Sequence, residues 1–257
     1  MNQISSEVSI PTASTLVLLR DNPEGYEVLL LKRTKQSTFP NLYVFPGGKV
    51  DPDDVNCEKF SDSLTDRDAS KILAMRQGGI RYWIAAIREC FEECGVLFAG
   101  KSESLAGELD PKLFNELKQS REALCTGNTT FQSILEEFSL QLAVSKVHYL
   151  SHWITPKVMP ARFDTRFFIG LIPDGQATDV HSSELVSGEW VRPKIALTRQ
   201  AQKKWNMILP TITTLRIISS FENTASLIDY VRRGYHKIPV LSGLPIQGMQ
   251  PYANRWR

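Results

Sequence analysis

Residues Arg88 to Val96 read RECFEECGV, and the placement of their three glutamates decides how the whole chain is read. Glu89, Glu92 and Glu93 are spaced i, i+3 and i+4, so on a helix they project from one face within a single turn. Two like charges ~5 Å apart repel by roughly 3 kcal/mol at an effective dielectric of ~20, so an uncompensated trio weakens its own helix. A divalent cation reverses that sign, and carboxylate oxygens suit hard Mg²⁺ or Mn²⁺. The helix is legible around them. From Arg81 to Cys94 the apolar Trp83, Ile87, Cys90, Phe91 and Cys94 fall on one stripe, with Ala85, Arg88, Glu89, Glu92 and Glu93 on the other side. Gly95 is placed to end it. The competing reading is a solvated acidic face. Against it stands the upstream FPGGKVDPDD, Phe45 to Asp54, a strand end followed by a glycine turn, where absent side chains let the backbone come close to a metal or phosphate.

Arg88, Glu89, Cys90, Phe91, Glu92, Glu93, Cys94, Gly95 and Val96 fill REUXEEXGU in order, and the sequence here resembles the Nudix hydrolase family, whose box is GX5EX7REUXEEXGU with U aliphatic. Cys90 stands where an aliphatic residue is usual. Counted from Gly48, the glutamate position falls on Asp54, and from Asp54 to Arg88 is 34 positions where the family has 8, leaving 26 extra residues. Such an insertion is tolerated if its ends stay close, because closure entropy grows only logarithmically with length. Asp51 or Asp53 could serve in place of Asp54. The resemblance implies an α/β fold, an α/β/α sandwich around a mixed β-sheet with extra helices inserted. It implies a Mg²⁺ (or Mn²⁺) enzyme that hydrolyses a nucleoside diphosphate linked to another moiety. Glu89 and Glu93 would be the first metal ligands, Glu92 would assist, the Gly48 carbonyl would join them, and Arg88 would orient the carboxylates, so that Arg88, Glu92 and Glu93 act catalytically. KRTKQSTFPNLYVFPGG, WITP at Trp153 to Pro156, RFDTRFF at Arg162 to Phe168 and EWVRP at Glu189 to Pro193 resemble the long-insertion branch that includes peroxisomal coenzyme A diphosphatases and bacterial relatives. A coenzyme A-like substrate follows. The rivals are a hydrolase of ADP-ribose, NADH or a similar dinucleotide, and a Nudix-like module that senses nucleotide without cleaving it.

The rest of the chain is organised around this helix. Thr15 to Leu19 and Tyr26 to Lys32 are β-rich bursts joined by the turn-forming RDNPEG, which reads as a hairpin. Leu42 to Phe45 is a further short strand. A polar insertion at about 55–80 carries a helical pattern at Ala69 to Met75. A helical excursion at about 105–145, with patterns at Pro111 to Leu124 and Phe131 to Leu140, is a candidate lid or substrate-selecting wall. Strand-like runs return at Val147 to Ile154, Phe163 to Ile172 and Gly188 to Val191, and helices from Pro193, at Leu215 to Phe221 and at Ala225 to Arg233. The expectation is one domain over residues 1–257.

Other candidates are set against blander roles. In RFDTRFF, Arg162, Asp164 and Arg166 alternate onto one strand face, suited to bidentate phosphate contact or to an internal salt-bridge ladder. Arg33, with Lys32, leaves a strand just before the glycine turn and is a further phosphate-contact candidate. Nudix enzymes commonly take a general base from a distant loop, which makes Glu184 the first candidate and Glu189 the second. His148, His152, His181 and His236 show no metal-ligand spacing, Cys90 and Cys94 lie on the apolar stripe, and Trp153, Trp190 and Trp205 read as core.

With 257 residues, 42% hydrophobic and 23% charged, the chain falls in the ordinary globular range. A net charge of +2 is too small to mark a nucleic-acid surface. No apolar run approaches the ~18 residues of a bilayer span, so neither nucleic acid nor membrane is an expected partner. The expected partner is a small nucleotide diphosphate, with a homodimer left open. MNQISSEVSI lacks the build of a secretory signal and NRWR is no peroxisomal address. Four cysteines in so long a chain do not suggest a disulfide framework, which points to a reducing, cytoplasmic setting.

Overall fold

The computed structural model describes residues 10–36, 40–101, 111–159, 161–180, 184–234 and 241–242. Its strands are β1 (Thr12–Asn22), β2 (Gly25–Arg33), β3 (Tyr43–Val44), β4 (Gly47–Lys49), β5 (Ala99–Gly100), β6 (Gln141–Leu142), β7 (His148–Ile154), β8 (Asp164–Leu171), β9 (Leu185–Val191) and β10 (Leu241–Ser242). Its helices are α1 (Asp66–Ile72), α2 (Ile80–Cys94), α3 (Pro111–Cys125), α4 (Phe131–Glu137), α5 (Pro193–Ala201), α6 (Leu209–Ile218) and α7 (Thr224–Arg232), with 3-10 turns at Pro52–Phe60 and Val144–Lys146. The N-terminal segment, His181, His236 and the last fifteen positions fall outside the described residues. Among the described residues no helix is long and apolar enough to cross a membrane.

One mixed sheet runs β10-β7-β8-β1-β2-β3, with β4 added to β1 and β9 to β2. The expected hairpin forms, but its ladder runs on to Asn22 opposite Gly25, so the turn is only Pro23-Glu24. Because strand side chains alternate, β1 feeds two cores. Leu16 and Leu18 pack with Leu29, Leu31, Phe168 and the α2 residues Trp83, Ile84 and Ile87. Val17 and Leu19 pack on the other face with Val28, Leu30, Ile169, Leu215 of α6 and Leu227 of α7. The sheet is therefore covered on both faces, as the sandwich expectation requires. Each fully buried Leu, Ile or Phe contributes about 1.5–3 kcal/mol, so the α2 stripe alone holds that helix firmly on the sheet.

The side of α2 opposite the apolar stripe is largely covered as well, with Ala85 fully buried and Arg88 8% exposed. The polar insertion is the reason: its 3-10 turn and β4 pack along that side. The strand expected at Leu42 to Phe45 is shorter, β3 at Tyr43–Val44, and the glycines expected as a turn begin a further strand, β4, because their backbone pairs with β1.

Candidate active site

The site begins with a split in the sheet. Only the last residues of β1 pair with β2, Leu19 to Asn22 against Val28 to Gly25. Toward its start β1 turns instead to β4, with Ala13, Ser14 and Thr15 opposite Lys49, Gly48 and Gly47. The far half of β2 takes β3 and β9. A cleft of about 720 Å³ opens between the diverging strands, and Gly47, Gly48, Glu89, Glu92, Glu93, Arg33 and Glu184 all line it.

The glycines fit the helix against the strand. A Cβ on Gly48 would lie 2.5 Å from both carboxylate oxygens of Glu89. Gly47, at φ +153°, would drive a Cβ into the Ser14 carbonyl and the Thr15 backbone. With no side chain there, its N–H donates to Glu93 Oε2 at 2.8 Å.

Arg88 organises the neighbouring carboxylates. Nε donates to Asp54 Oδ1 at 2.8 Å and Nη2 to Asp54 Oδ2 at 3.2 Å, a two-point grip on an almost fully buried acid. Nη1 donates to both Glu89 Oε1 and Glu92 Oε1 at 3.0 Å, and Nη2 also reaches the Lys49 carbonyl at 2.9 Å. Asp54 is thus the acid of the insertion that meets Arg88, and it is held by its own N-terminal turn: its carboxylate accepts from the Asp51 N–H at 2.7 Å in a capping box. Asp51 and Asp53 are exposed, and the ion pairs of Arg88 go to Asp54, Glu89 and Glu92.

Electrostatics make this cluster hungry for positive charge. Burial, opposed by Arg88 and reinforced by Glu92, pushes the Glu89 carboxyl up to about 7. Burial and then Glu89 push Glu93 up to about 8, against the Gly47 N–H and Arg33. Among the described residues no three His, Cys, Asp or Glu side chains converge on one point as they stand, since Arg88 draws Glu89 and Glu92 while Gly47 draws Glu93. The donor set nonetheless fits a hard divalent ion: all its atoms are oxygens, and two of the carboxylates are anions their surroundings disfavour until a cation joins them.

The remaining candidates divide. Arg33 pairs with Glu184 beside Glu93, and both line the cleft. Glu189 is turned outward to Arg199. Arg162 and Arg166 are absent from the lining. Arg162 donates from Nε to the Thr155 carbonyl at 3.0 Å, while Arg166 pairs with Asp164 and stacks on Tyr82 at 4.9 Å. Arg166 thus stands in an internal salt-bridge pair on the sheet face that α2 covers, where strand alternation puts it. His152 Nε2 lies 2.5 Å from Asp164 in the same network. Cys90 and Cys94 are buried as expected, Trp153 lines the cleft, and Trp205 stacks on Tyr43 at 4.0 Å.

Sequence reasoning missed two supports of the box helix. Gly79 at the α2 start offers no capping side chain, and the insertion supplies one: Asp66 accepts from the Gly78 and Ile80 N–H groups at 2.9 and 3.1 Å, and Ser70 Oγ from Gly79 N–H at 2.9 Å. At the other end Arg121 of α3 donates to the Glu92 carbonyl. The one readable signal was a long helix beginning at glycine, which needs a cap from elsewhere.

The NUDT19 Nudix domain profile matches residues 64–217. The acyl-coenzyme A diphosphatase NUDT19 of Xenopus laevis is 28% identical over 211 residues, 69% of this chain and 56% of that protein. The putative nudix hydrolase 7 of Caenorhabditis elegans is 28% identical over 197 residues, 76% of this chain and 57% of that protein. The chain spans a little over half the length of these curated relatives. Among solved structures, a NUDIX hydrolase from Alicyclobacillus acidocaldarius superposes with a TM-score of 0.69 at 26% identity, over 87% of this chain and 97% of that one.

Proposed function

The chain belongs to the Nudix hydrolase family, and from that premise we propose that it is a divalent-metal-dependent pyrophosphohydrolase of nucleoside diphosphate derivatives, of which coenzyme A and its thioesters are the preferred class. The observation that carries the reading is that Glu89, Glu92, Glu93 and Gly48 line one cleft, with Glu89 and Glu92 held by the same Arg88 that grips Asp54. The coenzyme A preference is supported by the names of the relatives and by the cleft's far limb, where Trp153, Ile154, Pro156, Met159, Phe163 and Leu209 make an apolar wall.

Glu89, Glu92, Glu93 and the Gly48 backbone would hold Mg²⁺ or Mn²⁺, which supplies charge neutralisation on the phosphoryl oxygens and acidifies the attacking water. Arg88 keeps two of these carboxylates on one side of the helix. Arg33 contacts a substrate phosphate, and in doing so leaves Glu184, its present partner. Glu184 then takes the proton of the attacking water. The new P–O bond forms as the P–O bond to the bridging oxygen breaks, and two phosphate monoesters depart.

The test is a panel of coenzyme A, acyl-coenzyme A, NADH, ADP-ribose and dinucleoside polyphosphates, each with Mg²⁺ or Mn²⁺ and with EDTA. Turnover of the coenzyme A compounds that EDTA abolishes is the expected result. Glu93→Gln keeps shape but removes one anionic ligand, and loses about 2–4 kcal/mol of transition-state stabilisation, in the range of other key electrostatic groups. Preferential cleavage of NADH or ADP-ribose replaces the substrate class. Tight nucleotide binding with no turnover of any member replaces the enzyme with a sensor.

A further inference from the structure

We infer that Arg121, on α3 of the helical excursion, is a positioning residue for the last turn of α2, the turn that carries Glu92 and Glu93. The inference rests on the reading of those glutamates as metal ligands.

A helix is an unfavourable place for carboxylates near its C-terminus, where unpaired carbonyls already concentrate negative charge. Here the last turn of α2 carries two, and its carbonyls are met from outside. The Phe91 carbonyl accepts from the Gly95 N–H and the Cys94 carbonyl from the Asp179 N–H, each at 2.9 Å. The Glu92 carbonyl accepts from Arg121 Nε at 3.1 Å. Arg121 is 4% exposed, so a full positive charge is buried against the helix end. Its Nη1 lies 3.8 Å from the Asp179 carboxylate, which Lys118 of α3 also holds at 2.9 Å. Gly95 leaves the space this requires: a Cβ there would stand 3.0 Å from Arg121 Nη1.

Two clamps therefore close on one turn. In front, the Gly47 N–H fixes the Glu93 carboxylate; behind, Arg121 fixes the backbone carbonyl of Glu92. A carboxylate pair can meet one ion only if the backbone between them holds still, and a buried guanidinium bond is a strong, directional way to hold it. Leu117, one turn earlier on α3 and 2% exposed, seats the helix on the core. The excursion expected as a lid or substrate-selecting wall is in this respect a brace for the site.

The experiment measures Mn²⁺ binding by calorimetry to the full chain, without substrate. Arg121→Met is expected to weaken Mn²⁺ about tenfold, and Arg121→Lys, which keeps the charge but not the fork, only two- to fivefold. Leu117→Ala, which loosens α3 without touching the α2 carbonyls, is expected to lower Tm while leaving Mn²⁺ affinity within twofold. Arg121→Met binding within twofold of wild type overturns the inference, and so does an equal loss in Leu117→Ala. Should Arg121→Met fail to fold, Asp179→Asn decides: about threefold weaker binding supports the brace and unchanged binding overturns it. Wild-type protein that binds no Mn²⁺ sinks the metal reading itself, a different result from wild-type binding with Arg121→Met unchanged.

Discussion

At the scale of single residues, the two glycines that open β4 separate structure from function. A Cβ at Gly47 meets backbone, the Ser14 carbonyl and the Thr15 Cα, which cannot retreat without parting β1 from β4. The nearest atoms a Cβ at Gly48 would meet are those of the Glu89 carboxylate, the end of a side chain that can swing aside at the cost of its bond to Arg88. Gly48→Ala is therefore expected to fold with a stability change within about 1 kcal/mol, the scale of an ordinary glycine-to-alanine replacement. Its Mn²⁺ affinity should drop at least tenfold because Glu89 has been displaced. Calorimetry with a parallel thermal melt checks both halves, and retained affinity would remove Glu89 from the ligand set. The acid partner of Arg88 shows what spacing alone left open. Counting from Gly48 reaches Asp54, yet with 26 extra residues Asp51 or Asp53 could serve instead. Only the fold, which buries Asp54 and turns the others outward, separates them.

At the scale of the element, α2 stores a proton-linked cost. Glu89 and Glu93 sit at about 7 and about 8 in the folded chain, against 4.5 for a free glutamate. Between pH 4.5 and 8 the native state thus binds more protons than the unfolded state, and its stability falls as pH rises. Asp54, raised chiefly by burial, adds the same sign. Asp66 and Asp164 do not interfere in that window. Burial pushes each upward, but N–H bonds from Gly78 and Ile80 hold Asp66 low, and His152 and Arg166 hold Asp164 low, so both contributions are complete above about pH 4. In EDTA, Tm is expected to fall by at least ~3 °C between pH 5 and pH 8, where each ~1 kcal/mol is worth about 2–4 °C. With Mn²⁺ the decline should vanish or reverse, since the metal takes the place of the protons. Differential scanning fluorimetry across that range decides it, and a Tm that climbs with pH in EDTA contradicts the raised carboxyls. The helix that creates this cost was the most legible element, because its apolar stripe and its glutamates share one period. Its caps were not legible. Asp66 and Arg121 reach it from 14 residues before Ile80 and 29 after Glu92, and no local pattern encodes such a distance.

At the scale of the whole molecule, the cleft is a consequence of how β1 and β2 part. The carboxylate limb comes from the β4 and α2 side, while the apolar limb comes from the end of β7, the loop after it, β8 and the start of α6. The sequence marks most of these strands, and of its phosphate-contact candidates Arg33 lines the cleft while Arg162 and Arg166, equally suited to a salt-bridge ladder, do not. Strand alternation says which residues share a face; it does not say which face borders a cleft, and here Thr165 and Phe167 line it instead. A diphosphate gripped at the charged limb directs whatever it carries along the other, where Met159 is 45% exposed and lines the wall. Each methylene withdrawn from water there contributes about 0.8 kcal/mol, so affinity should climb with acyl length until the limb is filled. Met159→Glu places a charge on that wall at a position exposed enough for the fold to survive. The expected outcome is a fall of about tenfold in kcat/KM for a long-chain acyl-coenzyme A relative to free coenzyme A, equivalent to losing the burial of roughly two methylenes. Steady-state kinetics on the two substrates measure it. An unchanged ratio would mean that the acyl chain leaves the cleft by another route, whereas equal losses on both substrates would place Met159 against the part they share.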